Sequence, residues 1–305
     1  MVAMARGTWV QKVILLEFGR ALPHHQMMLS TLIKPFANAL RRVRAIASRP
    51  IVPIDESLWQ RATSNYAFVR ALGEEENRRL RLIASDFLSR KAITGAGGQE
   101  IDALVRTQIA AQACILVLEL GLDYFDGWSE IVVYPSQFLP ERDVMDEAGV
   151  VHTTRDALAG EAWLGGPVVL SYEDVARTGD PLNSIDGYNV VIHEFAHKLD
   201  MRNGEANGFP PLQKGMNRDA WKNAFMPAYL EFCRAVDAAD AVEHRDGGRA
   251  LDALPLDSYA SENPAEFFAV ISEAFFEMPD VVADAFPAVY AQLALFYKQN
   301  PRARR

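Results

Sequence analysis

The sequence predicts an α+β fold, and two observations carry that prediction. Apolar residues recur at helical spacing early and late in the chain, whereas two short runs rich in β-branched residues lie between these stretches. Strands grouped in this way, rather than alternating with helices, are typical of α+β proteins and not of a regular βαβ sheet. Half of the 305 residues are hydrophobic and 23% are charged, so the chain can bury a sizeable core.

The first segment, residues 1–54, is predicted to be a basic N-terminal extension followed by a linker. Its first 50 residues contain eight Lys or Arg against the single acidic residue Glu17. Between residues 29 and 47 apolar side chains fall on one face of a helix, with basic residues among them. Such a helix could lie on an anionic membrane surface, pack on the folded body or stay disordered. The prolines of Arg49–Pro53 indicate a linker.

The second segment, residues 55–125, is predicted to be a helical N-terminal region. Glu74–Lys91 has apolar residues on one face and charges on the other, which is typical of a surface helix. Ile101–Leu120 becomes almost wholly apolar in its second half, so this helix is expected to be more buried. Gly121 predicts where it ends.

The third segment, residues 126–305, is predicted to be a domain with a small sheet followed by helices. Two strands are expected, Glu130–Tyr134 and Pro167–Ser171, with a polar loop between them. The helical pattern then returns in four stretches: Val190–Leu199, Ala220–Ala238, Pro264–Glu277 and Val281–Lys298. A loop rich in Gly and Asn is expected at Asn203–Gly208.

Charge and cysteine content exclude several classes of protein. The formal net charge is -9 although the first 50 residues are basic, so the body is acidic, and direct nucleic-acid binding is not expected. Only two cysteines occur, which provides no disulfide framework and fits a reducing compartment. The apolar run Val13–Leu16 is too short for a signal peptide or for stable membrane insertion. The sequence therefore predicts a cytoplasmic protein.

The most informative pattern is His-Glu-x-x-His, formed by His193, Glu194 and His197 on a predicted helix. Residues four apart lie one turn above each other, so both imidazoles can bind one ion with Glu194 beside it. Two imidazole nitrogens and a carboxylate suit Zn²⁺, and a catalytic site leaves the fourth position to water. Bound zinc would acidify that water, and Glu194 could take its proton and pass it to the leaving amine. This chemistry is peptide hydrolysis.

The third protein ligand is not fixed by the motif. The metzincin pattern requires Gly at position 200 and His at 203, but the chain has Asp200 and Asn203, so that class is excluded. An acidic residue on a later helix is then expected, and three candidates lie close together: Glu262, Glu266 and Glu273.

The spacing of these candidates leaves the choice open. Glu266 and Glu273 are seven residues apart and lie on roughly one face of a helix. Glu266 could also have a purely structural role that needs no metal. A local capping arrangement would form if Asn263 were the N-cap, with Pro264 at the first helical position and Glu266 at the third.

Beyond the core motif, several segments resemble one known family, the Mlc titration factor A proteins, which are bacterial zinc peptidases of the gluzincin type. The match runs from about residue 55 to the end, and the extended His-Glu-x-x-His-Lys-Leu-Asp segment is the most specific part. The matching segments are Val117–Leu122, Ile131–Pro135, Gly166–Leu170, Ile192–Gly204 and Asp257–Val270.

The resemblance implies a zincin-like catalytic domain with one Zn²⁺ per chain. Carried over position by position, it makes His193, His197 and Glu266 the metal ligands and Glu194 the general base. Tyr259 falls where the family has a tyrosine near the metal, where a phenol could donate to the developing oxyanion or simply pack. The resemblance also implies aminopeptidase-like activity on peptide substrates and binding to a transcriptional repressor of the Mlc type.

Other readings remain open at this stage. A regulatory binding protein could use zinc to hold its fold, although a structural site has no use for Glu194 beside the metal. A membrane-associated protease could use the basic helix Leu29–Val43. Asp200 could steady a ligand or make a local hydrogen bond. We also expect the strand Pro167–Ser171 to pair with the substrate peptide.

Overall fold

Several helices of this protein begin after a residue whose side chain caps them. The structure is a computed structural model that describes residues 51–137, 141–145, 151–155, 160–178, 187–246 and 250–304. Among these residues the helices are α1 Glu56–Thr63, α2 Ala67–Arg70, α3 Glu74–Arg90, α4 Ala103–Ile115, α5 Tyr172–Arg177, α6 Val190–Asp200, α7 Arg218–Asp246, α8 Pro264–Glu277, α9 Pro279–Ala285 and α10 Pro287–Tyr297. Side chains of Asp55, Asp102, Asn189 and Asn263 cap α1, α4, α6 and α8.

The strands form a mixed four-stranded sheet and a separate hairpin. Their bounds are β1 Ala92–Gly95, β2 Glu130–Tyr134, β3 Glu141–Met145, β4 Val151–Arg155, β5 Gly160–Ala162 and β6 Val168–Ser171. The sheet order is β1-β2-β6-β5, in which β1, β2 and β6 are parallel and β5 runs antiparallel to β6. The hairpin pairs β3 with β4. The protein is therefore mixed α+β and mostly helical, as the sequence predicts.

Both predicted strands are present, and the described part of the chain contains four further strands that were not predicted. Glu130–Tyr134 has the predicted bounds, and Val168–Ser171 differs from the prediction by one residue. The segment between them, expected to be a polar loop, contains β3, β4 and β5 instead. These strands are short or rich in charged residues, so they carry little apolar alternation. Residues 92–95 of β1 follow α3 directly and were read as part of a helical region.

The pairing of β1 with β2 joins two of the predicted segments. Ala92 is in register with Glu130 and Gly95 with Val133, so a backbone ladder connects residues 55–125 to residues 126–305. The described residues all belong to one compact unit. The predicted basic helix at 29–47 lies outside the described residues. Within them, no helix is both long enough and apolar enough to cross a membrane.

The prediction of one helix over Val281–Lys298 was wrong. The structure divides this stretch into α9 and α10, and Pro287 is the first residue of the second helix. Proline has no backbone N–H and its ring clashes with the carbonyl of the preceding turn, so it begins helices but interrupts their interiors. The left-handed Lys298, with φ of 55°, ends α10.

The expectation that Pro167–Ser171 would pair with a substrate peptide is also wrong. In the sheet, β6 is hydrogen-bonded to β2 on one side and to β5 on the other, so both of its edges are occupied. Among the described strands β5 lies at the end of the sheet. An added strand could therefore pair only with an outer strand, because β6 has no free backbone groups to offer.

The helix that carries the His-Glu-x-x-His pattern lies at the centre of the core. Every residue of α6 is buried, and the helix contacts α4, α8, β5 and β6. On one side Phe195 packs against Phe87, Phe125 and Trp128. Burial on all sides fixes the helix rigidly, so the functional side chains project from a support that has little freedom to move.

Candidate metal centre

Two buried helices bring His193, His197 and Glu266 together. Both histidines lie on α6, one turn apart, and Glu266 lies in the first turn of α8. The Nε2 atoms of His193 and His197 are 3.2 Å apart, and Oε2 of Glu266 is 3.0 Å from the first and 3.2 Å from the second. These three residues are the group of possible metal ligands found among the described residues.

The donor set fits a tetrahedral zinc ion. Zinc binds imidazole nitrogen and carboxylate oxygen at about 2.0–2.2 Å, so two ligand atoms on a tetrahedral ion lie about 3.4 Å apart. The three separations of 3.0 to 3.2 Å are close to that value. Two Nε2 atoms that face each other also require a cation or a shared proton between them, because their lone pairs would otherwise repel. The residues present therefore suit the metal.

Glu273 lies behind the first histidine rather than at the cluster. Its Oε1 is 2.7 Å from Nδ1 of His193, so the ring can donate its Nδ1–H to the carboxylate and keep the Nε2 lone pair for a metal. Its other oxygen accepts the backbone N–H of Asn189 at 2.5 Å. Although burial opposes the charged imidazole, Glu273 and Glu266 raise the pKa of His193 well above its ordinary value.

Asn189 fastens the two helices together at the start of α6. Its side-chain oxygen accepts the N–H of Ile192 and so caps the helix, while its Nδ2 donates to Glu277 at 2.8 Å. With the backbone bond to Glu273, one residue makes three hydrogen bonds that link α6 to itself and to α8. This junction sets the separation of the helices and thereby the distance between the histidines and Glu266.

Glu266 is the one of the three candidate glutamates that lies at both histidines among the described residues. Asn263 caps α8 by accepting the N–H groups of Ala265 and Glu266, and Pro264 is the first helical residue, so the predicted cap exists. The Glu266 side chain, however, contacts His193 and His197. Burial would raise the pKa of Glu266, but hydrogen bonds with the two imidazoles hold it well below its ordinary value.

Glu194 lies between the cluster and the sheet. It is 4% exposed, and its Oε2 has no hydrogen-bond partner within the described part of the chain. Burial raises the pKa of Glu194 to about 7, against the opposing effect of His193 and His197. Gly160 of β5 lies directly over it, since a Cβ added there would be 2.6 Å from Cγ of Glu194 and 2.8 Å from Cδ. Only glycine leaves room for the carboxylate at this point.

The cluster opens into a cleft with two adjoining pockets. One has a volume of about 230 Å³ and is walled by Val190, Leu256, Val270 and Ala274. The other has a volume of about 480 Å³ and extends along β5 towards Met201 and Asn207. Gly160, His193, Glu194 and Tyr259 line both pockets. A ligand spanning the two pockets would therefore pass directly over the cluster.

Tyr259 stands at the mouth of the cleft. Its side chain is 47% exposed, and its ring centroid is 6.1 Å from that of His193. Asp257 holds the short turn that carries it by accepting the N–H of Tyr259 at 2.8 Å. Tyr259 is therefore not a buried packing residue, and its side chain is accessible to a ligand in the cleft.

Asp200 makes the local hydrogen bonds that the sequence allows. Its Oδ2 accepts the backbone N–H groups of Asn207 and Gly208 at 2.6 and 2.7 Å. It thus anchors the predicted Asn203–Gly208 loop, whose residue Asn207 lines the larger pocket. Burial raises the pKa of Asp200, and these backbone N–H groups oppose the shift.

Three residues near the cluster were not assigned these positions from sequence. Gly160 and Asn189 carry no motif, and Glu273 was considered only as a possible metal ligand. A signal existed for Glu273, because it is an acidic residue in an otherwise apolar run that ends with Phe275 and Phe276. An acidic side chain in such a stretch is rarely buried without a partner. No comparable signal marks Gly160.

Comparison with known proteins identifies a metallopeptidase family. A family described as "Glucose-regulated metallo-peptidase M90" matches residues 37–298. Proteins named "Mlc titration factor A" from Yersinia enterocolitica, Yersinia pestis and Yersinia pseudotuberculosis are each 36% identical over 249 residues, covering 81% of this chain and 86% of the relative. The resemblance to Mlc titration factor A proteins is thereby confirmed. The chain belongs to the glucose-regulated metallo-peptidase M90 family.

Proposed function

We propose that this protein is a zinc-dependent peptidase of the gluzincin type, with aminopeptidase-like activity. In this proposal His193, His197 and Glu266 hold one Zn²⁺, Glu194 is the general base and Tyr259 assists. The observation that carries the proposal is the close approach of three possible metal-binding atoms, 3.0 to 3.2 Å apart. Beside them lies the buried Oε2 of Glu194, which accepts no hydrogen bond from any described residue.

Each side chain of the site is proposed to have a separate role in hydrolysis. A bound zinc ion supplies Lewis-acid chemistry, polarising a carbonyl and lowering the pKa of water towards about 7. Oε2 of Glu194 accepts a proton from the attacking water and returns it to the leaving nitrogen. Tyr259 donates a hydrogen bond to the oxyanion that develops on the carbonyl oxygen. Glu273 keeps the His193 ring in one orientation throughout the reaction.

The substrate is proposed to lie along β5. This strand is the outer one of the described sheet on the side of the cluster, and Gly160 at its start lies over Glu194. A peptide added as a further strand would receive backbone hydrogen bonds from β5 and cross the cluster between the two pockets. Its scissile bond would then lie close to Glu194.

The charge of the cleft supports a preference for a substrate with a free amino group. The lining of the two pockets includes Glu161, Asp257 and the carboxylates already described, but no Lys or Arg among the described residues. An ammonium group is attracted to such a cleft, whereas a terminal carboxylate finds no cation to bind it. This supports aminopeptidase-like cleavage over removal of C-terminal residues.

The test is hydrolysis of aminoacyl 4-nitroanilides and of matching N-terminally blocked peptide anilides by the zinc-loaded protein. Glu194→Gln is the paired control, since it keeps the shape of the side chain. We expect the wild type to cleave unblocked substrates preferentially, and the variant to retain zinc while losing activity. If neither protein cleaves although both contain zinc, the peptidase proposal is wrong.

A second candidate function is binding of a transcriptional repressor of the Mlc type. The names of the Yersinia relatives favour it, and the two functions could coexist in one chain. The test is affinity of purified Mlc repressor for the wild type and for Glu194→Gln. Equal, saturable binding by both would support a regulatory role independent of catalysis, and no binding by either would exclude it.

A further inference from the structure

Lys198 directly follows the second histidine and lies one helical turn after Glu194, but its hydrogen bonds go to a turn outside the cluster. Its side chain is buried, with the residue only 4% exposed. Its Nζ donates to the backbone carbonyls of Trp163 and Gly166, at 2.5 and 2.8 Å. Both carbonyls belong to the turn that joins β5 to β6. The helix that carries the histidines is thus bonded directly to this turn.

The turn is short and has little freedom of its own. The backbone N–H of Trp163 donates to the carbonyl of Pro167 at 3.2 Å, and the backbone N–H of Gly166 donates to the carbonyl of Trp163 at 3.0 Å. Gly165 has φ of +66°, a conformation that favours glycine. Because β5 ends at Ala162, one residue before the turn, any shift of the turn is transmitted to the strand.

β5 is therefore held against α6 at two points. At its start, Gly160 lies on the Glu194 side chain. At its end, Lys198 holds the following turn. Among the described strands β5 pairs only with β6, and outer strands are easily displaced when nothing covers them. The contacts with α6 fix where its outer edge lies relative to the cluster.

A buried ammonium group is a costly means of packing. Removing such a charge from water is unfavourable unless hydrogen bonds replace the lost hydration. Lys198 recovers part of that cost from the two carbonyls and from the Trp128 ring, whose centroid is 4.8 Å from Nζ. An apolar residue would fill the same volume, so what lysine adds is its pair of bonds to the turn and a positive charge near Glu194, which Lys198→Arg would keep.

The geometry points to Lys198 as a positioning residue, which sets the place of the peptide-binding edge of β5 relative to the metal cluster. This inference rests on the proposed function, because it assumes that a peptide pairs with β5. Lys198 touches neither the substrate nor the reacting atoms. Its effect passes through the turn to the strand, and so to the alignment of the bound peptide.

The chain provides a matched control in Lys91. This lysine is also buried, lies 3.8 Å from the centroid of the same Trp128 ring, and donates to the carbonyls of Phe125 and Trp128. The loop that it holds, however, does not lead into β5. Lys91→Met therefore removes the same kind of interaction as Lys198→Met without releasing the strand.

The experiment compares the steady-state kinetics of both variants on the anilide that the wild type cleaves best. Pairing with β5 is made in the ground state and in the transition state alike, so its loss raises KM more than it lowers kcat. We expect Lys198→Met to raise KM at least about tenfold with kcat within about threefold, and Lys91→Met to leave KM within about twofold. A purely structural role would instead reduce the active fraction, and hence kcat, at constant KM.

A second readout does not depend on turnover. Hydrogen exchange of the segment spanning residues 160–167 should be faster in Lys198→Met than in wild type or Lys91→Met, while zinc affinity stays unchanged. If Lys198→Met does not fold, Lys198→Arg is used, whose larger head must displace the turn and should raise KM as well. Unchanged KM and exchange in a folded variant would overturn the inference. An inactive wild type would instead overturn the proposed function.

Discussion

Replacing Gly160 with alanine introduces one methyl group directly against the proposed general base. The new Cβ would lie 2.6 Å from Cγ of Glu194 and 2.8 Å from Cδ. Carbon atoms in contact are normally about 3.5–4.0 Å apart, so either β5 or the carboxylate must move by about 1 Å. A misplacement of that size costs about 100-fold in rate. Crowding in a packed region should also lower the free energy of unfolding by about 1–3 kcal/mol.

The assay is kcat/KM on the best anilide substrate, with zinc content and urea denaturation measured on the same preparation. We expect a loss of about 100-fold in kcat/KM at full zinc occupancy, because the atoms nearest to the new methyl all belong to Glu194 and none to a proposed metal ligand. Gly73→Ala is the control, since its added Cβ would find its nearest neighbour, Oε2 of Glu76, at 3.8 Å.

The origin of the effect can be tested with a double-mutant cycle. In a Glu194→Gln background, Gly160→Ala should cause little further loss, because the group that it displaces no longer acts as a base. If Gly160→Ala alone keeps kcat/KM within about twofold of wild type, the close contact does not constrain the base, and the reasoning is refuted.

Three further predictions concern the surroundings of the site. Glu273→Gln should weaken zinc binding about 10–100-fold in competition with a chromophoric chelator. Glu277→Gln should not, because Glu277 contacts Asn189 rather than a histidine, and glutamine keeps an oxygen that can accept from Asn189. Equal effects would contradict the role given to Glu273. Asp200→Ala should lower the free energy of unfolding in urea by about 2–5 kcal/mol, since it leaves two loop N–H groups without their acceptor. Asp200→Asn keeps an oxygen and should lower this free energy by less. An equal loss in the two variants would show that these bonds contribute little. Burial lowers the pKa of Lys91 from 10.5 to about 7. Between pH 7 and pH 10.5 the Lys91 side chain therefore carries a proton in the unfolded chain but not in the folded protein, so the free energy of unfolding should rise as pH increases. The difference in unfolding free energy between wild type and Lys91→Met should change by about 2 kcal/mol between pH 7 and 9, and a difference that is constant with pH would show that the lysine stays charged.

The helices were largely predictable from sequence because their signals are local. Glu74–Lys91, Val190–Leu199 and Pro264–Glu277 were each expected within one residue of their observed bounds, since apolar periodicity and capping residues act over one or two turns. The strands β1, β3, β4 and β5 were not predicted. Short strands are stabilised mainly by partners distant in sequence, so their own residues carry little pattern.

The candidate site also contains residues that the sequence pattern identifies and residues that it does not. His193, Glu194 and His197 were found from spacing alone, because residues four apart share one face of a helix. The positions of Glu266 and Glu273 could not be separated by spacing. In the structure Glu266 lies at the two Nε2 atoms and Glu273 at Nδ1 of His193, and this difference depends on how α8 packs against α6.

The sequence by itself determined the α+β class, the histidine pair with its neighbouring carboxylate, and the family resemblance, because each is written in residues close together in the chain. Only the tertiary structure decided which glutamate meets the histidines, that Gly160 covers Glu194, and that β5 rather than β6 is the outer strand beside the cluster. Glu266 is 69 residues from His197, and Lys198 is 35 from Trp163. Contacts over such separations are fixed by the packing of whole helices and strands, which no local pattern specifies.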